Sequence, residues 1–400
     1  MSLEAVVCRE YGNSPFALCV VINAWAKVGT GDAARQAEAL LQQMLRPSPS
    51  EDEEIVRPDT VIFNAAINAY ATSGDPQSGT KALAFLRQMK QLAEEEGYDT
   101  KPDIITYNSI LSALSHCGHI NAAPQTERIV SDMQSSAAES VGAPAPNTVS
   151  YNTILHAWSK STLPGAAPRA QKVLDFMINT DRKGIEPDAY SFTSVMDAWA
   201  KSKEPNKAKQ ARDLLDKLVE LFDQTKRPDL KPTQIPYNTV LNACAFSAME
   251  TTMDEQRDAL KIAVGTIGGM RKAGVDPDTV TYGNLLKTFS NLVPQGQGRS
   301  DMALKVFEKC IEDGLVGSLV WNEVRRTVPL KVLAQTFKLK GSPGSLTLRD
   351  LPPKWRRRTK LDRKGPKTRN NSVRDNEASA EDNSPGRTFT ESSYQSGRDV

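Results

Sequence analysis

The sequence predicts an all-α fold, an α-solenoid of stacked helix–turn–helix repeats. Three observations carry that expectation. A short phrase recurs along the chain, as in Asp59-Thr60-Val61-Ile62-Phe63-Asn64, Asp103-Ile104-Ile105-Thr106-Tyr107-Asn108 and Asp278-Thr279-Val280-Thr281-Tyr282-Gly283. The residue after each aromatic falls at Cys19, Asn64, Asn108, Asn152, Thr193, Asn238, Gly283 and, weakly, Asn322, in steps of 39 to 45 residues. Each unit restarts at proline followed by Asp, Asn or Thr. A repeat at near-constant period makes a chain whose units touch only their neighbours, with any function spread along one long surface.

Within a unit, the first element reads as a helix. Three residues past the aromatic-following position lies an aliphatic column, Ile22, Ile67, Leu111, Leu155, Met196, Leu241 and Leu286. Two residues further is a small column, Ala24, Ala69, Ala113, Ala157, Ala198, Ala243 and Thr288. These offsets put one apolar face on a helix and mark where a neighbouring helix approaches closely. The second element is also a helix. Its apolar run ends at Met44, Met89, Met133, Met177 and Leu218, with Ala37, Ala82, Thr126, Ala170 and Ala211 seven residues earlier. The sixth unit lengthens its turn around Phe246 to Arg257. Segments such as Leu45–Arg57 and Ser135–Pro146, rich in Pro, Ser, Ala and acids, read as loops. At each restart, as at Pro58-Asp59 and Pro187-Asp188, proline stops the preceding element. The next side chain then accepts from the open N–H groups of the new helix.

The expected domains are an N-terminal segment over 1–14, the solenoid over 15–340 and a basic, low-complexity, disordered tail over 341–400. The repeats run about 15–59, 60–103, 104–147, 148–188, 189–233, 234–278 and 279–317, with a partial unit over 318–340. The formal net charge is +2, but Lys340–Val400 carry 14 basic and 8 acidic residues, so the body is slightly acidic. Any polyanion bound by the body must therefore be held by placed contacts and not by bulk charge. Five scattered cysteines fit a reducing compartment and give no disulfide framework. No apolar run reaches the roughly 18 residues of a membrane span. The first 14 residues, with two acids and one Arg, do not look like a transit peptide.

Gly74-Asp75-Pro76-Gln77-Ser78-Gly79-Thr80-Lys81 mimics a phosphate loop, but Thr and Lys stand in the wrong order and the turn joins two helices. His116, Cys117 and His119 have no second pair at metal spacing. No cofactor, no metal and no catalytic constellation is expected, so the chain reads as a binding protein and not an enzyme.

The pattern Pro-Asp-x-x-Thr-Tyr-Asn-x-x-(Ile/Leu)-x-Ala, followed by an Ala–Leu–Met second helix, resembles the pentatricopeptide repeat family over about residues 15–325. Pro102–Ala113 and Pro146–Ala157 match it almost letter by letter, although these units are longer than the family's roughly 35 residues. The resemblance implies a right-handed superhelix with a concave groove lined by first helices. It implies sequence-selective binding of single-stranded RNA, one base per repeat, in mitochondrial or plastid RNA processing, stability, editing or translation. Carried over residue by residue, the base-reading pairs are Asn64 with Asp103, Asn108 with Asn147, Asn152 with Asp188, Thr193 with Thr233, and Asn238 with Asp278. Their implied site is 5′-xUCUxUx-3′, pyrimidine-rich. Cys19 with Asp59 and Gly283 with Gly317 depart from the pattern. Val61, Ile105, Val149, Tyr190, Ile235 and Val280 are implied to stack on bases, and Lys27, Lys160 and Lys201 to contact phosphates. Each set has a plainer reading: caps and polar helix starts, packing between units, and lysines favoured at helix ends. A monomer is expected. The alternative to RNA is a protein–protein scaffold of the same architecture.

Overall fold

The computed structural model describes residues 15–45, 57–95, 98–247, 252–339 and 346–359. Among them sixteen α-helices follow one another with no strand. In order they are α1 (Pro15–Val28), α2 (Gly31–Met44), α3 (Thr60–Ser73), α4 (Ser78–Glu95), α5 (Ile104–His116), α6 (Ala122–Glu139), α7 (Thr148–Lys160) and α8 (Ala166–Asn179). Then come α9 (Ala189–Lys201), α10 (Lys207–Thr225), α11 (Gln234–Ala245), α12 (Met253–Lys272), α13 (Thr279–Leu292), α14 (Gln297–Asp313), α15 (Ser318–Thr327) and α16 (Leu330–Thr336). Odd-numbered helices open a unit and even-numbered helices close it.

The expected caps start these helices. Asp59, Asp103, Asn147, Asp188, Thr233 and Asp278 each accept a backbone N–H from the first turn of the helix that follows. In four of them the third helical residue, Thr106, Ser150, Ser191 or Thr281, returns the bond to the cap's own N–H. The aliphatic column of the first helices is fully buried from Ile22 to Leu286. The small column of the second helices, Ala37, Ala82, Thr126, Ala170 and Ala211, is equally sealed, and Ala263 continues it in the sixth unit.

The stacking is nearest-neighbour. Each odd helix packs on the next odd helix, and each even helix from α2 to α14 packs on its own partner and on the following odd helix. Even helices scarcely meet one another, α10 with α12 excepted. The odd helices therefore form the tighter layer, and a stack with one tighter layer curves with that layer inside. The result is the α-solenoid that the periodicity predicts.

Two expectations need correction. Helix α6 continues to Glu139, into the segment expected to be loop from Ser135, because Ser136 and its neighbours complete the helical ladder as far as the Ser140 cap. The tail expected over 341–400 is ordered in part. Residues 346–359 fold back through two short 3-10 turns and bury Leu346, Leu351 and Trp355. Trp355 packs edge-on against Phe307 and Phe337, at 5.9 and 5.6 Å between ring centroids. Its carbonyl accepts from Val316 N–H at 2.9 Å, and Arg358 N–H donates to Gly314 O at 2.9 Å. An aromatic surface at the end of the stack draws this segment in, as the hydrophobic effect requires. The N-terminal segment 1–14 and residues 360–400 of the tail lie outside the described residues. No described helix is long and apolar enough to cross a membrane.

Candidate nucleic-acid interface

The face built by the odd helices carries the predicted residues in register. Positions three residues before the ruler residue, at it, four after it and eight after it are spaced about one helical turn apart, so they form one stripe on each helix. Stacked side by side, these stripes become a strip running the length of the array.

The first feature of the strip is apolar and exposed. Val61, Ile105, Val149, Tyr190, Ile235 and Val280 keep 42 to 64% of their surface open to solvent. An isolated exposed apolar residue carries no information, but one per hairpin at the same helical position is a ladder. Leu319 of α15 adds a rung that the sequence reading missed. It stands three residues before Asn322, whose weak match to the motif was the available signal.

The second feature is a set of linked polar triads. Asn64 Nδ2 donates to Asp103 Oδ1 at 3.2 Å, and the Thr106 hydroxyl donates to Asn64 Oδ1 at 2.7 Å. The arrangement repeats in three further units. Asn108 meets Asn147 at 3.4 Å and Ser150 at 2.7 Å, and Asn152 meets Asp188 at 3.0 Å and Ser191 at 2.5 Å. Asn238 meets Asp278 at 3.1 Å and Thr281 at 2.7 Å. The paired residues, about forty apart in sequence, are thus joined across the seam between hairpins. An amide has two N–H donors and two acceptor sites on oxygen. One of each is used here, so one donor and one acceptor site remain on each Asn. Asn108, Asn152 and Asn238 are half-buried, whereas Asn64 is only 9% exposed. Burial opposes ionisation of Asp103, but the Thr106 N–H and hydroxyl and the Asn64 amide outweigh it and hold the carboxyl below its usual range.

Thr193 and Thr233 are not joined. The Thr193 hydroxyl turns back to Ala189 O at 2.6 Å, and Thr233 caps α11 alone. Pro236 stands where four other units have the linking Thr106, Ser150, Ser191 or Thr281, so no hydroxyl bridges this seam. Gly283 has a different reason for departing from the motif. A Cβ there would sit 2.6 Å from Leu319, and one on Gly317 would sit 2.8 Å from Thr279. Side-chain-free backbone is what lets the last seam close.

The lysine column is mixed. Lys27 and Lys160 are exposed and form no ion pair among the described residues. Lys201 is held by Asp197 at 2.5 Å and reaches Ser159 O at 3.3 Å. The same position elsewhere makes the same tie. Thr72 donates to Ala26 O at 2.9 Å and Asn291 to Ala245 O at 2.7 Å. This column stitches the end of one odd helix to the last turn of the previous one, a role that single-unit patterns do not reveal.

His156 lies on the strip beside Tyr190 and His116. Burial, then the positive neighbours His116, Lys160 and Lys201, push its pKa down to about 4, against the pull of Asp197. An unfolded histidine titrates near 6.5. Between about pH 6.5 and 4 the unfolded chain therefore binds the extra proton, and stability falls as pH falls through that window. Melting temperatures taken across it should fall less steeply for His156→Asn than for the parent; identical slopes would contradict this assignment.

The resemblances to phosphate loops and metal sites dissolve. Lys81 is bound by Glu38 at 2.7 Å, and a Cβ on Gly79 would sit 2.7 Å from Leu114. Cys117 is buried, its thiol bonded to Leu114 O, and His119 Nδ1 accepts from Asn121 N–H. No metal-competent cluster occurs among the described residues.

Fold and strip together define an α-solenoid with a periodic polar and apolar groove. Residues 176–246 match the family model of the pentatricopeptide repeat domain. The columns matched there recur in the hairpins on both sides. No curated protein matches the chain. Solved structures that resemble it are the pentatricopeptide repeat protein PPR10 in complex with an 18-nt psaJ RNA element, and a triple Cys-to-Ser variant of that protein with the same element. Each is 19% identical with a TM-score of 0.41, and each match covers 84% of this chain and 44% of the other. The chain thus spans less than half the length of those proteins.

Proposed function

We propose that this protein binds single-stranded RNA along its inner strip and reads bases one hairpin at a time. The observation that carries this reading is the exposed apolar ladder from Val61 to Val280, in register with the Asn triads. A base lying between successive rungs finds apolar surface on both faces and an amide at its edge. Stacking of this kind contributes roughly 1–3 kcal/mol per base. The spare donor and acceptor on Asn108, Asn152 and Asn238 match the adjacent N–H and carbonyl of a pyrimidine edge. The neighbouring Asp or Asn fixes the amide's orientation, which is how the second member of each pair contributes to the choice of base.

On this reading the preferred site is pyrimidine-rich, about 5′-xUCUxUx-3′, and Asn64 reads more weakly than its counterparts because it is nearly sealed. Lys27 and Lys160 contact phosphates, and Lys201 does so only by leaving Asp197. The protein acts as a monomer in RNA processing, stability, editing or translation in a mitochondrion or plastid, by blocking, remodelling or recruiting, with no chemistry of its own. Selection of bound sequences from a random single-stranded pool, at stated salt, tests it. Enrichment of a U/C-rich core is the expected result, and recovery of an unenriched pool would refute it. Affinity should fall with a log–log salt slope of about −2, from about −0.7 per phosphate for three lysines. A protein-binding scaffold is the second reading, favoured by one observation: Asn64 is only 9% exposed, which leaves its amide little room to meet a base.

A further inference from the structure

The strip is not uniform. At the seam between the fourth and fifth units its apolar rung is the phenol of Tyr190, and the residue facing it is His156. The Tyr190 hydroxyl and His156 Nδ1 lie 3.2 Å apart, their ring planes are within 28° of each other, and their centroids are 6.4 Å apart. A contact made through the hydroxyl at that separation sets the rings edge to edge and not one over the other. His116 adds a third ring, 5.3 Å from His156 and tilted by 36°. Tyr190 keeps 51% of its surface exposed and His116 is exposed too, so the assembly faces solvent. Lys160 and Lys201 flank it on α7 and α9. From the second unit to the eighth, the other rungs are single aliphatic side chains, Val61, Ile105, Val149, Ile235, Val280 and Leu319.

We infer that Tyr190, His156 and His116 form an aromatic shelf that seats one unpaired purine base of the bound RNA. The inference rests on the RNA-binding reading above and sharpens it at a seam adjoining the unlinked Thr193, whose base the Asn triads do not specify. Two rings joined at their edges present a face wider than a pyrimidine and matched to a bicyclic base. Val, Ile or Leu at the other rungs covers only part of such a face. Lys160 is placed to meet the phosphate on one side of that nucleotide.

The test is an anisotropy titration of the full chain with a pyrimidine-rich single-stranded RNA. One nucleotide at a time is changed to adenosine, to uridine or to an abasic ribose. Every phosphate is retained, so lysine contacts cancel and only the base is read. At one position adenine should bind about tenfold more tightly than the abasic site, the scale of one stacked base, and more tightly than uracil. Tyr190→Val and His156→Asn, which restore the residue types of sister units and so preserve the fold, should each abolish that advantage. RNA binding without any adenine-favoured position, or an advantage that survives both variants, would overturn the shelf and leave the groove reading standing. Failure to bind any RNA would overturn both.

Discussion

Changing Asn108, Asn152 and Asn238 together to Ala is expected to lower RNA affinity by at least about two orders of magnitude and to erase base preference, each lost base contact being worth roughly 1–3 kcal/mol. The fold should survive this change, for a specific reason. Each linking hydroxyl has a second acceptor already in reach on its own cap. Ser150 lies 3.2 Å from Asn147 Oδ1, Ser191 lies 2.9 Å from Asp188 Oδ1, and Thr281 lies 2.9 Å from Asp278 Oδ1. Losing the Asn therefore strands no buried hydroxyl, and each hydrogen bond forgone costs only about 0.5–1.5 kcal/mol. Circular dichroism and affinity measured on the same preparation separate the two effects. Unchanged affinity and unchanged base preference in a folded triple variant would end the base-reading interpretation. A finer version swaps one pair, Asn108→Thr with Asn147→Asp, and should move a single selected base from pyrimidine towards guanine.

The largest expected effect on stability lies at the other end of the molecule. Trp355 is 5% exposed and closes an aromatic cluster with Phe307 and Phe337. Trp355→Ala should cost about 3–5 kcal/mol, the usual range for removing a buried Trp. The loss should be local, because a solenoid's stability is a sum over units and their interfaces. Hydrogen exchange is the appropriate readout. Amides of α14 and α15 should lose protection while those of α3 to α9 keep theirs. Protection unchanged in α14 and α15 would mean that residues 346–359 do not seal the array. In a repeat stack the last unit exposes an apolar face that has no neighbour to cover it. Here the eighth unit is short, since α16 has seven residues, and the returning segment covers α14.

Much of this molecule was legible in a single unit of sequence. The proline restarts placed the six caps, and all six accept the N–H groups expected of them. The aliphatic and small columns identified the buried faces of both helices. These signals are local: they depend on the 3.6-residue period and on the open N–H groups at a helix start, which any isolated stretch of chain displays. The repeat placed Asn64, Asn108, Asn152 and Asn238 in one column, but their partners came from the family resemblance and not from the local pattern.

What the stretch could not display is contact between residues about forty apart. Only hairpin-on-hairpin stacking brought the hydroxyls of Thr106, Ser150, Ser191 and Thr281 onto the Asn column, and Thr72, Lys201 and Asn291 onto carbonyls of the previous unit. The same stacking set Leu319 over Gly283, joined Tyr190 to His156, and drew Trp355 back from a segment whose composition reads as tail. Periodicity determined that this protein is a row of hairpins and which side of each is apolar. The tertiary structure decided which polar groups of one hairpin are consumed by the next and which are left facing the groove, because that division depends on distances between units that no local pattern encodes.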